Sequence, residues 1–549
     1  MVPMHVLSAA EMQTCDRLTT KRYGVASLEL MRAASAVVAA FARHEFPAAR
    51  RVTVLCGRGN NGGDGMMAAR LLASAGLEVT TLLLGSRDRL TGDAAEAWRE
   101  LTSPAHGLIA IIETPEDLAL HKAALEADLI VDAVVGTGFK PPLKGLALAV
   151  LEWVKASSAP VLAVDVPSGW PADETSATVA GPVFPADAVI TFTAPKPAHV
   201  FGQLTRHWGQ PIVVAPIGSP REAVVSALNL SWAGSSLALA QAPRQASANK
   251  GNYGHVLVVG GSVGKSGAPA MTALAALRAG AGLVTAAVPA PVLPLAAAIA
   301  PELMTWPLAA NAAGSVAAEN LAPELLAALV AGKTVLAIGP GLGQNLETVK
   351  FVTGLLSAIS IPAVIDADAL NILAAKPVLL AKLAKGRTLV LTPHPGEMAR
   401  LAGIATAEVQ ANRLDVARGF AQRNGVTLVL KGARTIIAHP DGRSAVNTTG
   451  NPGMAKGGSG DLLTGLIAGL LAQFPGEPAR AVEAAVYLHG LAADMAVRAA
   501  DEHTLLATDS LVHLSRAFRF RTSGANGYLW LQGQPAESLQ TAALHEATQ

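Results

Sequence analysis

Cysteine is nearly absent. Cys15 and Cys56 are the only two in 549 residues and share no CxxC or metal-ligand spacing, which excludes a disulfide framework and a cysteine-ligated zinc site and fits a reducing cytoplasm. Aromatic residues are scarce too, at 4%, so the 51% of hydrophobic residues are mostly Ala, Leu and Val, a composition suited to helices stacked on a buried sheet. No excess of charge exists: 42 basic residues face 41 acidic ones without a long Lys/Arg run, leaving no net field for nucleic acid or an anionic membrane. An uninterrupted apolar span is also missing. The opening MVPMHVLSAAEMQ lacks a basic segment and soon meets Glu11, so no signal peptide is expected. The charge-free stretch between Arg278 and Glu302 is broken by Gly280, Gly282, Pro289, Pro291, Pro294 and Pro301, and LLTGLIAGLLAQF after Asp461 is too short to cross a bilayer.

What the chain does have is alternation. From about Arg51 to Gly218, the apolar runs RVTVLC, LEVTTLLL, LIVDAVVG, PVLAVDVPSG, AVITFTAP and PIVVAPIG alternate with Ala/Leu-rich helical stretches, the pattern of a parallel sheet covered on both faces. The pattern lapses after Gly218 and resumes at HVLVVGG, continuing through LVTAAVP, TVLAIGPG, AVIDADAL, TLVLTPHPGE, VTLVLKGA and TIIAHPDG. We therefore expect an α/β protein of two doubly wound domains, 1–218 and 245–521, joined by a linker over 219–244 and followed by a mobile tail over 522–549, in which Tyr528, Leu529 and Trp530 could dock.

GRGNNGGDG, Gly57 to Gly65, follows the first strand and opens a helix, the arrangement that cradles an anion with free N–H groups and a helix dipole. Gly57, Gly59 and Gly62 satisfy GxGxxG, but the second strand offers Glu78 at its wrong end and Arg87 just past it instead of the ribose-binding acid of a dehydrogenase. Asp132, Asp165 and Ser168 end later strands and can share a crevice with Asn61; their oxygens suit a hard cation, and a second carboxylate could move a proton. The plainer reading of Asp132 and Asp165 is turn or helix capping.

NPGMAKGGSGDLLTGLIAGLLAQF carries the sharpest signal. Gly457, Gly458 and Gly460 leave N–H groups free where a helix begins, a place for a transferring phosphoryl group, and Asp461 beside them can take a hydroxyl proton. The alternative is an Asp cap after a flexible loop. GGSVGKS is not a P-loop, since Val259 stands where the first glycine is required, and GGSGD is not GxSxG. Asp366 and Asp368 look like a metal pair but better suit substrate positioning or capping; His394 between prolines and Lys431 at a strand end have equally plain structural readings.

AEMQTCDRL, GRGNNGGDG, VDAVVGTGF and VDVPSG, in this order, resemble the NAD(P)H-hydrate epimerase domain over nearly all of residues 1–218. The resemblance implies a Rossmann-like sandwich that interconverts the R and S epimers of hydrated NADH or NADPH. It implies potassium held by Asn61, Asp132 and Ser168, and substrate contacts from Asn60, Asn61, Gly62, Gly63, Asp64, Gly136, Thr137, Gly138, Phe139, Lys140, Pro141, Pro142 and Asp165. Asp165, by its strand-end position, is the candidate for moving the proton. Arg32 departs from the acid that similar sequences carry after the Met. From about 245 to 520, NKGNYGHVLVVGGS, GAPAMTALAALRAGAGLVT, IGPGLG, VIDADALN, LTPHPGE, LKGART and NPGMAKGGSGD resemble the ribokinase-like NAD(P)H-hydrate dehydratases, with Asn249 in place of the usual His. That resemblance implies substrate contacts at Ala268, Gly341, His394 and Asp461, nucleotide contacts at Lys431, Gly432, Ala433, Arg434, Thr435 and Gly460, and Asp461 as base. ADP, with ATP as the alternative, would be co-substrate with Mg²⁺, giving AMP and phosphate; a cytoplasmic homo-oligomer without nucleic-acid or membrane partners is expected. The competing reading is a ribokinase-like vitamin kinase with a non-catalytic N-terminal binding module.

Overall fold

The computed structural model of the chain describes residues 4–102, 106–524 and 526–533 and divides into two compact units. Met4–Leu228, together with the described residues from Arg521 to Gly533, forms the first; Asn229–Phe520 forms the second. Both are α/β. Among the described residues no helix is long and apolar enough to cross a membrane.

The first unit is built on β1 (Arg51–Cys56), β2 (Glu78–Leu84), β3 (Leu108–Ile112), β4 (Leu129–Ala133), β5 (Val161–Val164), β6 (Ala188–Phe192) and β7 (Ile212–Ala215), all parallel in the order 3-2-1-4-5-6-7. Helices α1 (Ala9–Tyr23), α2 (Ser27–Glu45) and α3 (Asn60–Ser74) precede or follow β1. Val and Leu runs fill the middle strands because helices cover both faces. The helix α3 starts directly from the glycine loop, which folds so tightly that a Cβ on Gly62 would lie 1.8 Å from the Gly57 carbonyl oxygen.

The second unit holds β8 (Leu230–Trp232), β9 (His255–Val259), β10 (Leu283–Pro289), β11 (Met304–Leu308), β12 (Val335–Ile338), β13 (Ala363–Ile365), β14 (Leu389–Leu391), β15 (Thr427–Leu430), β16 (Ile436–Ala438) and β17 (Ser444–Val446), ordered 11-10-9-12-13-14-15-16-17-8. The strands from β11 to β15 are parallel and β16 is antiparallel to both its neighbours. Its helices include α4 (Gly267–Arg278), α5 (Ala367–Ala374), α6 (Pro395–Ala402), α7 (Ser459–Gln473) and α8 (Pro478–Val497). In α7 every residue from Leu462 to Ala472 is buried, so the stretch is a core helix rather than an amphipathic one.

Two sequence expectations are corrected. Residues 219–244 are not a free linker: Ala223 packs with Leu7, Met12 and Cys15 in the first unit, while Leu230–Trp232 forms an edge strand of the second sheet beside β17. These pieces are too short to leave a periodic signal. Nor is the chain beyond 522 a mobile tail as far as Gly533. Leu529–Gln532, β18, runs antiparallel to β7 and closes the edge of the first sheet, with Trp530 and Tyr528 edge-on to Phe41 at 6.2 and 6.0 Å. Trp530 is 2% exposed. Trp530→Ala is expected to destabilise the first unit by about 3–5 kcal/mol, the usual cost of emptying a buried aromatic site; two-transition calorimetry should show only the first unit's transition moving down. Residues 534–549 lie outside the described residues.

Candidate functional site

Open α/β sheets bind ligands beyond the carboxyl ends of their strands, where the strand order reverses. In the first unit that point lies between β1 and β4. A cleft of about 1280 Å³ opens there, lined among others by Asn60, Asn61, Asp64, Asp165, Lys196 and Asp16. Below it Asp132 and Ser168 are fully buried. Asp132 Oδ1 accepts from the Ser168 hydroxyl at 2.6 Å and the Val134 N–H at 3.2 Å, and Oδ2 from the Ser168 N–H at 2.8 Å. Burial pushes Asp132 up to about 6 in spite of these donors. The amide nitrogen of Asn61 is buried with no acceptor among the described residues, and Gly136 comes so close that a Cβ there would stand 3.2 Å from the Asn61 Oδ1. Amide, carboxylate and hydroxyl oxygens around a buried carboxyl group fit a hard cation.

Asp165 follows β5 in a left-handed conformation, φ 67°. Its Oδ1 accepts from the Thr191 hydroxyl at 2.8 Å and the Lys196 ammonium at 2.9 Å; its Oδ2 accepts from the Thr137 N–H at 3.1 Å. Burial alone would raise this carboxyl, but Lys196 foremost holds it down to about 2. His199 Nδ1 accepts the Lys196 N–H, so its Nε2–H donates to the Asp165 carbonyl at 2.7 Å. Burial, aided by Lys196, lowers His199 to about 4 and keeps it neutral.

In the second unit the order reverses between β9 and β12. The ends of β13, β14 and β15 carry Asp366, His394 and Lys431, and α7 begins from Gly458, φ 96°. Lys431 Nζ lies 2.9 Å from Asp366 Oδ1 and 3.9 Å from Glu397 Oε2, and a Cβ on Gly460 would be 3.3 Å from it. A cation thus sits at the helix N-terminus beside the glycine N–H groups. Burial would lower Lys431, but Asp366 and Glu397 hold it above the ordinary range. Asp461, in the first turn of α7, is pushed up to about 6 by burial and then by Asp366, with Lys431 opposing. The Thr272 hydroxyl lies 3.0 Å from the carbonyls of both Ala268 and Asp461, joining α4 to α7, and a Cβ on Gly341 would meet that of Ala268 at 3.4 Å.

Family models match both units: YjeF-related protein N-terminus over residues 27–198 and NAD(P)H-hydrate dehydratase over 256–516. The bifunctional NAD(P)H-hydrate repair enzyme Nnr of Moorella thermoacetica is 42% identical, covering 94% of this chain and 97% of its own. The chain belongs to the bifunctional NAD(P)H-hydrate repair enzymes. The proteins of that name from Coxiella burnetii and Escherichia coli are 38% and 36% identical, covering 92% and 94% of this chain and 97% and 94% of theirs. Among solved structures, an ADP/ATP-dependent NAD(P)H-hydrate dehydratase from Bacillus subtilis, co-crystallised with ATP/Mg²⁺, is 34% identical over 52% of this chain and 96% of its own, with a TM-score of 0.44.

In this repair enzyme the structure brings Asn61, Asp132 and Ser168 to one switch point, and Ala268, Gly341, Gly460, Asp461 and Lys431 to the other. His394 is tied in through Glu397, whose carboxylate accepts the His394 N–H at 2.9 Å, but its ring also caps α6, accepting the Gly396 N–H at 3.0 Å. Gly432, Ala433 and Thr435 form a local turn in which the Thr435 hydroxyl donates to the Gly432 carbonyl. The Arg434 guanidinium is buried and donates to the Thr448 carbonyl at 3.1 Å. Asp366 and Asp368 part company. Asp366 takes Lys431 and the Thr464 hydroxyl, whereas Asp368 takes the Gly343 N–H and Gln344. Sequence reasoning missed Lys196, His199, Thr191, Glu397 and Thr464. A cationic residue in APKPAH soon after a strand end was one available signal; Thr464 inside an apolar helix run was another.

Proposed function

We propose that the first unit epimerises NAD(P)H hydrates and the second dehydrates the S epimer at the expense of ADP. The arrangement of Asp461, the glycine N–H groups and Lys431 at the start of α7 carries the second assignment. There the C6 hydroxyl attacks the terminal phosphorus of ADP, Asp461 takes its proton, and AMP departs. Gly457, Gly458 and Gly460 donate to the phosphoryl oxygens and Lys431 balances their charge. The ring nitrogen then expels phosphate, a far better leaving group than hydroxide, and loss of a C5 proton regenerates the reduced nicotinamide. Mg²⁺ would arrive on the nucleotide phosphates. Asn60–Asp64 and Gly136–Pro142 would bound the substrate in the first cleft, and Asn61, Asp132 and Ser168 would hold potassium, whose charge offsets Asp132 and organises the loop above it. Both cysteines are buried and unpaired, which supports a reducing cytoplasm.

The test is to give the purified chain mixed R and S NADH hydrate with Mg²⁺, K⁺ and either ADP or ATP. Recovery of reduced-nicotinamide absorbance from both epimers, matched by orthophosphate, is expected, with ADP the better donor. A flat trace would sink the proposal, and consumption of only the S epimer would remove the first unit's role.

A further inference from the structure

Asp16 on α1 also lines the first cleft, in the same space as Asn60, Asp64, Asp165 and Lys196. Its Oδ1 is buried and meets no hydrogen-bond donor among the described residues. A carboxylate oxygen left so by the protein is matched to a group that arrives from outside, or carries a proton itself. Asp165 is the opposite case. Donors occupy both of its oxygens, one of them the Lys196 ammonium, so it remains an anion at neutral pH and has no proton to give.

We propose that Asp16 is the general acid and base of the epimerisation, handing a proton to the C6 hydroxyl as it leaves. This rests on the repair reading given above. The Asp16 proton passes to the hydroxyl oxygen, the C6–O bond breaks with its electron pair going to oxygen, and the ring-nitrogen lone pair forms the N1=C6 double bond. One water is released and Asp16 becomes a carboxylate. Water then adds to C6 from the other face, the double-bond pair returns to N1, and the proton shed by that water returns to Asp16. Asp165 supplies a fixed negative charge for the transient cation, which reassigns the proton movement first expected of it.

The electrostatics agree with this division. Burial pushes Asp16 up to about 6, with Lys196 pulling against it and Asp165 adding to it. Asp64 on α3, raised by burial and then by Asp165 and Asp16, shares the cleft, and Arg17, Lys21, Arg58, Arg89, Asp93, Glu113 and Lys144 are the other charged groups that line it. An acid of this strength keeps its proton in part of the molecules near neutrality and loses it as the pH rises.

R–S exchange should be followed by chromatography of the two epimers without ADP or ATP, using the full chain. Asp16→Asn is expected to lower kcat about 100-fold or more with KM little changed. Asp16→Glu should restore part of it, and the wild-type kcat should fall about tenfold per pH unit above pH 6, a limb absent from Asp16→Asn. Dehydration of the pure S epimer, retained in each variant, reports that the chain is folded. Exchange at the wild-type rate in Asp16→Asn, or a loss that Asp16→Glu fails to rescue and that leaves the alkaline limb in place, overturns the assignment. A wild-type chain that exchanges nothing fails the repair reading itself, a result distinct from either.

Discussion

Asp461→Asn should lower dehydration of the S hydrate by about 10³-fold or more while R–S exchange continues at the wild-type rate. The amide keeps the shape of the carboxyl and cannot accept the hydroxyl proton, so the loss measures general-base catalysis, usually worth about 10²–10⁴-fold. Because burial and Asp366 raise Asp461 to about 6, the wild-type dehydration rate should fall about tenfold per pH unit below pH 6, where the base becomes protonated. The stability consequence has the opposite sign to that of most catalytic losses. A carboxyl whose folded pKa lies above its unfolded value of about 3.9 costs stability at neutral pH, and that cost disappears as the pH falls through 6 to 4. Asp461→Asn should therefore melt no lower than wild type at pH 7.5. A large fall in its melting temperature, or loss of both activities in a folded protein, would contradict separate sites with Asp461 as a base.

The strand runs announced both sheets because parallel strands covered on two faces are nearly continuous in Val, Leu and Ile, and the glycine loops marked where helices start. What escaped were features made by distance in sequence. Lys196 reaches Asp165 across 31 residues, and Lys431 reaches Asp366 across 65. Neither pairing has a local pattern; a lysine at a strand end reads as solvated until the fold places a carboxylate beside it. The closing strand Leu529–Gln532 was hidden for a related reason. Its four residues are too few for a period, and its partner Ile212–Ala215 lies some three hundred positions earlier. Asp16, inside AEMQTCDRL, carries no local signal of its own, since only the cleft reveals its bare oxygen.

Asp165→Asn has the second large expected effect, on stability as much as on activity. Lys196 is 1% exposed, and the Asp165 carboxylate is its ion-pair partner. Removing that charge strands a buried ammonium, a loss typically of about 3–5 kcal/mol. The first unit's unfolding transition should fall accordingly, epimer exchange should be lost, and dehydration of pure S hydrate should persist. The pH dependence has a definite sign. Asp165 is held down to about 2, so its contribution is complete above about pH 4 and drains away as the pH falls through 2. Wild type should lose first-unit stability in that window and Asp165→Asn should not. Pairing Asp165→Asn with Lys196→Met removes both charges, and most of the stability should return because no ion is left unpaired. Exchange should stay absent, since the fixed anion opposite the transient cation is still missing. If the double variant recovered exchange along with stability, Asp165 would be only a partner for Lys196; if the single variant melted like wild type, the ion pair would carry none of the weight placed on it.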